Sequence, residues 1–237
     1  MRNLKRLKIV VTIMIITIII CVGSLYMLET HGRLSLESKI GDFSLISTTP
    51  LKEGTKPVIL FIGAEACPFC AAESWSLATA LSKFGNLSGL SHFYSNGSDS
   101  IPNVPGDDFS EASFQSNNLA FWEVETTTSS WNQKLQSLNS TEATLMQQFD
   151  KGNGIPFILI DGLYLEIGSR VNPKLISNLT WQQCLNLTNT PGTFHDMVQE
   201  EVHNITQVLN YVKNFQGLFL NTSLNHFFML YDRKTKS

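Results

Sequence analysis

A strand-like run that leads directly into two closely spaced cysteines is the strongest constraint on how this chain folds. Residues 58–62 (VILFI) are apolar without interruption and rich in β-branched side chains, which predicts a strand buried on both faces. After a short turn, Cys67 and Cys70 flank Pro68 and Phe69, and the residues that follow predict a helix. Proline suits the first helical turn, because its missing N–H would have no partner there. The cysteines are therefore expected where a core strand passes into a helix.

The predicted position of the cysteines has chemical consequences. A helix N-terminus presents unpaired N–H groups and a partial positive charge, which favour a thiolate over a thiol. The pKa of Cys67 is therefore expected to be lowered, and Cys70 lies close enough to form a disulfide with it. Glu65, Glu73 and the two residues between the cysteines are candidates for tuning the pair. For the two glutamates, a solvated carboxylate without a role at the site is the alternative.

Three interpretations of the cysteine pair stay open on the residues alone. They are a redox-active dithiol, a static structural disulfide and half of a metal site. Zinc usually takes four ligands, often from a second CxxC or a Cys/His pair. Cys184 and the five histidines show no such spacing, so no metal site is predicted. Cys184 is expected to be a buried free thiol, with a resolving or intermolecular cysteine as the alternative.

The N-terminal region predicts a membrane anchor. Residues 9–28 carry no charged side chain and match the hydrocarbon thickness of a bilayer. A cleaved signal peptide is the alternative, but its apolar region is usually shorter, and Cys21-Val22-Gly23-Ser24 is a poor cleavage site. Residues 1–8 contain basic side chains and no acidic one, so they are expected in the cytoplasm and the bulk of the chain outside.

The composition of the remaining chain agrees with an external domain. Charged residues make up 16% of the sequence and the net charge is −3, which offers no basic surface to nucleic acid. Seven Asn-x-Ser/Thr sequons follow the apolar segment, more than chance would give, and predict a glycoprotein. These sequons begin at Asn86, Asn96, Asn139, Asn178, Asn186, Asn204 and Asn221.

A second core strand and a β-hairpin are predicted around the first strand. Residues 90–95 follow the cysteine helix, so they are expected to pair parallel to residues 58–62 through a right-handed crossover. Two β-rich runs, residues 155–160 and 163–168, are joined by Asp161-Gly162, which is a strong hairpin signal. The hairpin is expected to add antiparallel strands to the same sheet.

The remaining segments are assigned from apolar spacing and turn residues. One more strand and three helices are predicted, at residues 43–47, 140–149 (with Ser140 or Thr141 as the cap), 172–187 and 194–215. Residues 96–140 are expected to form a surface insertion with structural aromatic side chains, in which apolar residues such as Phe121, Trp122 and Val124 form strands over the core. A substrate-facing cover beside the cysteines is the alternative. The chain then divides into a basic N-terminus, a membrane helix, a linker, an α/β domain and an unassigned tail, at residues 1–8, 9–28, 29–40, 41–216 and 217–237.

Two motifs together resemble the thioredoxin superfamily. FIGAEACPFC, residues 61–70, resembles the strand, turn, CxxC and helix of thioredoxins, and Ile155-Pro156 before the hairpin resembles their cis-proline element. The resemblance covers residues 43–95 and 141–215 and implies an α/β, thioredoxin-like fold, with a central mixed sheet flanked by helices. The layout also resembles a family of archaeal membrane-anchored proteins catalogued as a domain of unknown function, which share the N-terminal span and a Gly-Ala-Glu-x-Cys-Pro-aromatic-Cys core.

The sequence departs from thioredoxins at positions that bear on the chemistry. Thioredoxins carry a buried carboxylate six residues before the nucleophilic cysteine, which aids proton transfer to the second cysteine, and a tryptophan just before the nucleophile. Here Phe61 and Ala66 occupy these positions. The central Pro68-Phe69 is closer to glutaredoxins, yet nothing indicates a glutathione site. The direction of electron flow is therefore left open.

The resemblance implies a membrane-anchored, extracytoplasmic thiol–disulfide oxidoreductase. Cys67 would attack or be attacked, Cys70 would resolve the mixed disulfide, and a cis bond between Ile155 and Pro156 would position the partner chain. The expected partners are protein thiols or disulfides, membrane lipid at the N-terminal helix and an unidentified membrane redox partner, without nucleic acid and without a cofactor. The alternative is a glycosylated cell-surface binding module that keeps the fold with a non-catalytic structural disulfide.

Overall fold

A seven-stranded mixed sheet is the centre of the structure, a computed structural model that describes residues 36–234, with side chains to residue 214. Eleven strands and four α-helices lie within the described residues. The strands are β1 (Lys39–Ile40), β2 (Phe43–Leu45), β3 (Lys52–Glu53), β4 (Lys56–Gly63), β5 (Asn86–Ser88), β6 (Ser91–Tyr94), β7 (Pro105–Asp108), β8 (Ser113–Gln115), β9 (Ala120–Glu125), β10 (Phe157–Ile160) and β11 (Tyr164–Ile167). The helices are α1 (Pro68–Ser82), α2 (Ser140–Phe149), α3 (Trp181–Thr188) and α4 (Thr193–Lys234), and a 3₁₀ turn spans Pro173–Leu175.

Strand β4 contains the apolar run of residues 58–62 and lies in the middle of the sheet. It pairs antiparallel with β10 and parallel with β9, and the strand order across the sheet is β1-β2-β11-β10-β4-β3. All five residues of the run are buried, which confirms the prediction of a strand buried on both faces. The sheet is therefore mixed, and the cysteine motif follows directly from its central strand.

The two faces of β4 pack against different apolar groups, because successive side chains of a strand point to opposite faces. Val58, Leu60 and Ile62 form one cluster with residues of β10 and with Met146 of α2. On the other face, the ring of Phe61 lies 5.4 Å from that of Phe109, edge to face. The core therefore extends over both faces of the sheet.

The parallel neighbour of β4 is β9, so the prediction that residues 90–95 fill this place is wrong. Those residues contain β6, which pairs with β7 in a separate two-stranded sheet. In β6 only Phe93 is buried, whereas a strand in the middle of a sheet must bury both faces. Residues 96–140 are thus not only a surface insertion, because they supply this core strand. Two acidic residues, Glu123 and Glu125, interrupt its apolar pattern and make it hard to identify in the sequence.

The predicted hairpin and two other predicted elements are present. Strands β10 and β11 pair antiparallel, and Asp161 and Gly162 connect them with φ values of 55° and 67°, as a tight hairpin turn requires. Strand β2 and helix α2 also form where they were predicted. The N-cap of α2 is Asn139 and not one of the two residues after it, because the Asn139 side chain accepts hydrogen bonds from the N–H groups of Thr141 and Glu142.

Three predicted boundaries are corrected by the structure. The segment at residues 172–187 is not one helix but the 3₁₀ turn followed by α3. Helix α4 continues to Lys234 and takes up most of the unassigned tail. Residues Lys39–Ile40, assigned to the linker, form β1 and pair with β2.

The predicted membrane helix at residues 9–28 lies outside the described residues. Among residues 36–234, no helix combines the length and the apolar character that crossing a membrane requires.

The asparagines of the described sequons differ in their exposure. Four are exposed and one, Asn96, is half-buried; the exposed ones are Asn86, Asn139, Asn178 and Asn186. Asn204 is buried, and its side-chain amide donates to Glu201 Oε2 at 3.2 Å. A glycan on Asn204 is incompatible with this packing, while glycosylation at the other positions stays a prediction.

Replacing Leu60 by alanine tests the central position of β4. Leu60 is fully buried and lies between Leu159 of β10 and Trp122 of β9. We expect Leu60→Ala to lower the free energy of unfolding by about 2–5 kcal/mol, measured by urea denaturation of the full chain in detergent. The matched control is Leu135→Ala, because Leu135 is 39% exposed and should cost no more than about 0.5 kcal/mol. Equal losses in the two variants would contradict the central place of β4 in the core.

Candidate functional site

Cys67 is the N-cap of α1 and so connects the central strand to the helix. Its backbone is extended (φ −82°, ψ 120°), and its Sγ accepts a hydrogen bond from the Cys70 N–H at 3.3 Å. The Cys67 N–H donates to the Ala64 carbonyl at 3.0 Å, which closes the turn after β4. Pro68 begins the helix, as predicted from its missing N–H. Both sulfurs are therefore held at one helix N-terminus.

The two thiols have different surroundings. A hydrogen bond from the Cys70 thiol, together with the N–H groups of Cys70 and Phe69, lowers the pKa of Cys67, although burial and the charge of Asp99 oppose this effect. Burial raises the pKa of Cys70 well above its ordinary value, and the proximity of Cys67 and of the Glu125 charge adds to it. Cys67 is therefore the sulfur that ionises first.

Strand pairing brings the segment before the hairpin to the cysteines. The Ile155–Pro156 peptide bond is cis, as predicted from the resemblance to thioredoxins. The carbonyl oxygen of Ile155 lies 4.0 Å from Cys67 Sγ, although 88 positions separate the two residues in the sequence. Within residues 36–234, the Ile155 N–H donates to no other backbone group. The backbone of Ile155 thus lies next to the nucleophilic sulfur, with an N–H that has no backbone partner among the described residues.

A buried glutamate that was not among the predicted site residues lies near the cysteine pair. Glu125 ends β9, is 1% exposed and stands opposite Gly63 in the parallel register. A Cβ added at Gly63 would lie 3.1 Å from Glu125 Oε2 and 2.7 Å from the ring of Phe61. Glycine at position 63 therefore leaves room for the Glu125 carboxyl group and the Phe61 ring, just before the turn that leads to Cys67.

The environment of Glu125 favours its protonated form. Burial raises the pKa of Glu125 well above its ordinary value, and the charges of Asp108, Glu65 and Glu123 raise it further. Its Oε2 has no hydrogen-bond partner among the described residues. The charge of Glu125 also raises the pKa of Cys70, so an ionised Glu125 makes it harder for Cys70 to lose its proton.

A glutamine connects Glu125 to a second acidic side chain that is closer to solvent. Gln136 Oε1 accepts from the Glu125 N–H at 2.5 Å, and Gln136 Nε2 donates to Glu123 Oε1 at 3.2 Å. Burial raises the pKa of Glu123 to about 7. Glu123 and Glu125 lie on the same face of β9, because they are two residues apart in a strand.

The two glutamates predicted as tuning groups make their contacts elsewhere. Glu65 is half-buried, and its carboxylate accepts from the N–H and the hydroxyl of Ser129, at 2.9 and 3.3 Å, which fixes a loop next to the site. Its charge acts on Glu125. Glu73 is buried on α1, where it accepts from the Ser169 hydroxyl at 2.8 Å and faces Glu201. Neither glutamate is among the groups that shift the cysteine pKa values.

The remaining candidates are part of the core or of the rim. Trp75 is 4% exposed, donates to the Pro105 carbonyl at 2.9 Å and stacks on Trp181, so it is part of the core. Cys184 is buried and free, and burial raises its pKa to about 12. Phe69 is 43% exposed beside the cysteines. Among the described residues, no cysteine belongs to a group of side chains placed to share a metal ion.

These features define a mixed α/β domain that presents a CxxC pair at a helix N-terminus, beside a cis-proline and near a buried glutamate. The chain belongs to the family described as Domain of unknown function (DUF929), whose profile matches residues 42–211. Comparisons with curated proteins and with solved structures gave no match. Membership of a family of unknown function is thereby established, whereas the relationship to thioredoxins and the archaeal origin stay predictions.

Selective alkylation tests the difference between the thiols. With the pair reduced, we expect iodoacetamide to modify Cys67 first and with a pH midpoint below the ordinary thiol value of 9.0, because its pKa is lowered. Cys184 is the internal control, since its raised pKa and its burial should keep it unmodified until the protein unfolds. Peptide mapping by mass spectrometry at a series of pH values measures both rates. Equal rates at Cys67 and Cys184 would contradict the assignment.

Proposed function

We propose that this protein is a thiol–disulfide oxidoreductase with a thioredoxin-like fold. The observation that carries the proposal is the position of Cys67, which caps a helix, has a lowered pKa and lies next to the proton-retaining thiol of Cys70. A sulfur that ionises easily and a neighbour that does not are what dithiol exchange requires. The contact between Ile155 and Cys67 and the antiparallel β10 next to β4 support the proposed fold.

The proposed reaction transfers two electrons between the cysteine pair and a protein disulfide. In the reducing direction the Cys67 thiolate attacks one sulfur of the substrate disulfide, and the other sulfur leaves as a thiolate. Cys70 then loses its proton and attacks Cys67 Sγ, which breaks the mixed disulfide and releases the second substrate sulfur as a thiolate. The substrate is reduced and the Cys67–Cys70 pair is oxidised; the oxidising direction is the reverse.

Glu125 in its ionised form is the proposed proton acceptor for Cys70, and its raised pKa makes this carboxylate a stronger base. The thiol of Cys70 must lose its proton while it is buried, so the acceptor has to be within the protein or brought by a water molecule. Phe61 occupies the position at which thioredoxins carry their buried carboxylate, and Glu125 supplies a carboxyl group from the neighbouring strand instead. A proton that passes from Cys70 to Glu125 leaves the total charge of this buried pair unchanged, so no additional charge has to be desolvated.

The partner chain is proposed to bind in an extended conformation along residue 155. The Ile155 N–H, which has no backbone partner among the described residues, would donate to a carbonyl of the partner. Phe69 presents an exposed ring on the same rim and offers apolar contact. These contacts involve mainly the backbone of the partner, and they favour unfolded or flexible protein segments as substrates.

The proposed place of the reaction is the outer face of a membrane. Residues 9–28 would anchor the chain, and the domain would be outside, where disulfides persist. The exposed sequon asparagines, such as Asn86 and Asn178, would carry glycans there. Membrane lipid at the anchor and an unidentified membrane redox partner complete the proposed set of partners.

Replacing the cysteines one at a time tests the proposed function. We expect Cys67→Ser to abolish insulin reduction by the full chain in detergent with dithiothreitol, because the attacking sulfur is lost. Cys70→Ser should instead accumulate a mixed disulfide with a disulfide-containing protein when dithiothreitol is left out, visible on non-reducing gels, since the resolving thiol is lost. Cys184→Ser is the matched control and should keep full activity.

The binding-module alternative gives the opposite results in the same experiments. Activity that is unchanged in Cys67→Ser would overturn the oxidoreductase proposal. A redox titration adds an independent measurement, because a potential below about −300 mV indicates a structural disulfide and a higher one an exchanging disulfide.

Replacing Glu125 by glutamine tests its role in proton transfer. We expect Glu125→Gln to slow resolution of the mixed disulfide by roughly 10²-fold at pH values at which Glu125 of the wild type is ionised, because the amide cannot accept the proton of Cys70. Stopped-flow measurement of mixed-disulfide decay separates this step from the attack by Cys67, which should keep its rate. Glu123→Gln is the control on the same strand and should change resolution less.

The same variant has an expected effect on stability that a purely catalytic change would not show. The pKa of Glu125 is raised in the folded state, so above about pH 4.5 the unfolded chain loses a proton that the folded chain keeps. This group therefore lowers stability as pH rises from there to its folded pKa, and Glu125→Gln should remove that part of the decline. Urea unfolding at several pH values measures it. A decline of the same size in wild type and variant would contradict the buried location of an ionisable Glu125.

A further inference from the structure

Four acidic side chains from four parts of the fold converge at a place separate from the cysteine pair. Asp42 comes from the turn between β1 and β2, Glu73 from α1, Glu166 from β11 and Glu201 from α4. One oxygen from each of Asp42, Glu166 and Glu201 lies within 4.8 Å of the other two. Glu73 is near enough that the charges of Glu201 and Glu166 both raise its pKa, after the larger effect of burial. We call these four residues the carboxylate cluster.

Three members of the carboxylate cluster are buried with oxygens that lack a partner. Glu73, Glu166 and Glu201 are 1%, 4% and 0% exposed. Among the described residues, Glu73 Oε1, Glu166 Oε2 and Glu201 Oε1 receive no hydrogen bond from a donor. Buried carboxylates are normally hydrogen-bonded, paired with a cation or bound to a metal. Three such oxygens in one place therefore point to a positively charged partner.

The cations that face the cluster do not balance its charge. The Nε of Arg170 lies 2.5 Å from Glu166 Oε1 and 3.4 Å from Asp42 Oδ2. Lys39 Nζ lies 3.3 Å from Asp42 Oδ1, on the exposed side. Four carboxyl groups and two cationic side chains leave an excess of two negative charges when all are ionised. One divalent cation, or two protons, restores neutrality.

We propose that the carboxylate cluster binds a hard divalent cation of the class of Ca²⁺, Mn²⁺ and Mg²⁺, with Asp42, Glu166 and Glu201 as its protein ligands. Carboxylate oxygens without nitrogen or sulfur ligands are typical of this class. Oxygens bound to one Ca²⁺ at about 2.4 Å lie at most about 4.8 Å apart, which agrees with the observed spacing. The side chain of Asp42 is 34% exposed, so the ion has a path from solvent and room for water ligands.

The remaining polar groups of the site hold the proposed ligands in place. Asn204 Nδ2 donates to Glu201 Oε2 at 3.2 Å. Arg170 Nε donates to Glu166 Oε1, so the other oxygen of this carboxylate, Oε2, has no partner among the described residues. Glu73 is held by the Ser169 hydroxyl at 2.8 Å. Partners of this kind orient metal ligands in known sites. The alternative is a proton shared between Glu166 and Glu201, whose carboxyl groups contact each other.

Calorimetric titration of the full chain in detergent with CaCl₂, MnCl₂ and MgCl₂ in turn tests the proposal. We expect saturable binding of at least one of these ions at one site per chain, and a rise of the melting temperature with its concentration. Asp42→Asn should weaken binding at least tenfold while the protein stays folded, because Asp42 is partly exposed. Glu201→Gln should abolish binding. Glu123→Gln, which removes an acidic group outside the cluster, should leave binding unchanged.

Two results would overturn the proposal. One is the absence of binding by all three ions in a folded wild-type protein, which would mean that protons neutralise the cluster. The other is binding that Asp42→Asn and Glu201→Gln leave unchanged, which would place the ion elsewhere on the surface. Circular dichroism of each variant shows whether it is folded. The proposal does not depend on the redox function, since Cys67→Ser should bind the ion as wild type does.

Discussion

The parallel pairing of β4 with β9 is the contact on which the site depends. Strand β4 ends at Gly63, just before the turn to Cys67, and the pairing places Glu125 opposite that glycine. On its other edge β4 pairs with β10, which begins two residues after Ile155 and so brings the Ile155 carbonyl to Cys67. Backbone hydrogen bonds on both edges of one strand thereby position the nucleophile, the contact for a partner chain and the buried carboxyl group. A shift of either pairing by one residue would turn Glu125 or the hairpin side chains to the opposite face.

The electrostatics of the site follow from unequal burial and unequal hydrogen bonding. Cys67 receives hydrogen bonds at the helix N-terminus, whereas burial is the main influence on Cys70. Glu125 shares that buried region, so its charge and that of a Cys70 thiolate exclude each other. Such displaced pKa values occur at catalytic sites and in structural ion networks alike. Here the displaced groups include a helix-capping sulfur that lies 4.0 Å from the Ile155 carbonyl oxygen, and this combination favours the catalytic interpretation.

Sequence reasoning could predict the parts of the fold that follow from local patterns. The apolar run of β4, the Asp161-Gly162 hairpin and the position of the cysteines at a helix start are local signals, and the structure contains all three. The partner strand of β4 could not be predicted this way, because Glu123 and Glu125 break the apolar pattern of β9. The core strand tolerates Glu125 because its raised pKa favours the uncharged form, which is less costly to bury. It tolerates Glu123 because that side chain is only partly buried. The aromatic and β-branched content of residues 119–125 is the signal that could have identified the strand.

Helix α1 connects the two acidic regions of the domain. Cys70 and Glu73 are three residues apart, so they lie on neighbouring turns of one side of the helix. The first faces the region of Glu125, and the second faces Glu201 and the rest of the carboxylate cluster. A cation bound by Asp42, Glu166 and Glu201 would hold β11 and α4 together, and it would lie near Glu73 of α1 without contacting either sulfur. Any influence on dithiol exchange would therefore pass through the charge of Glu73, one turn of α1 away from Cys70.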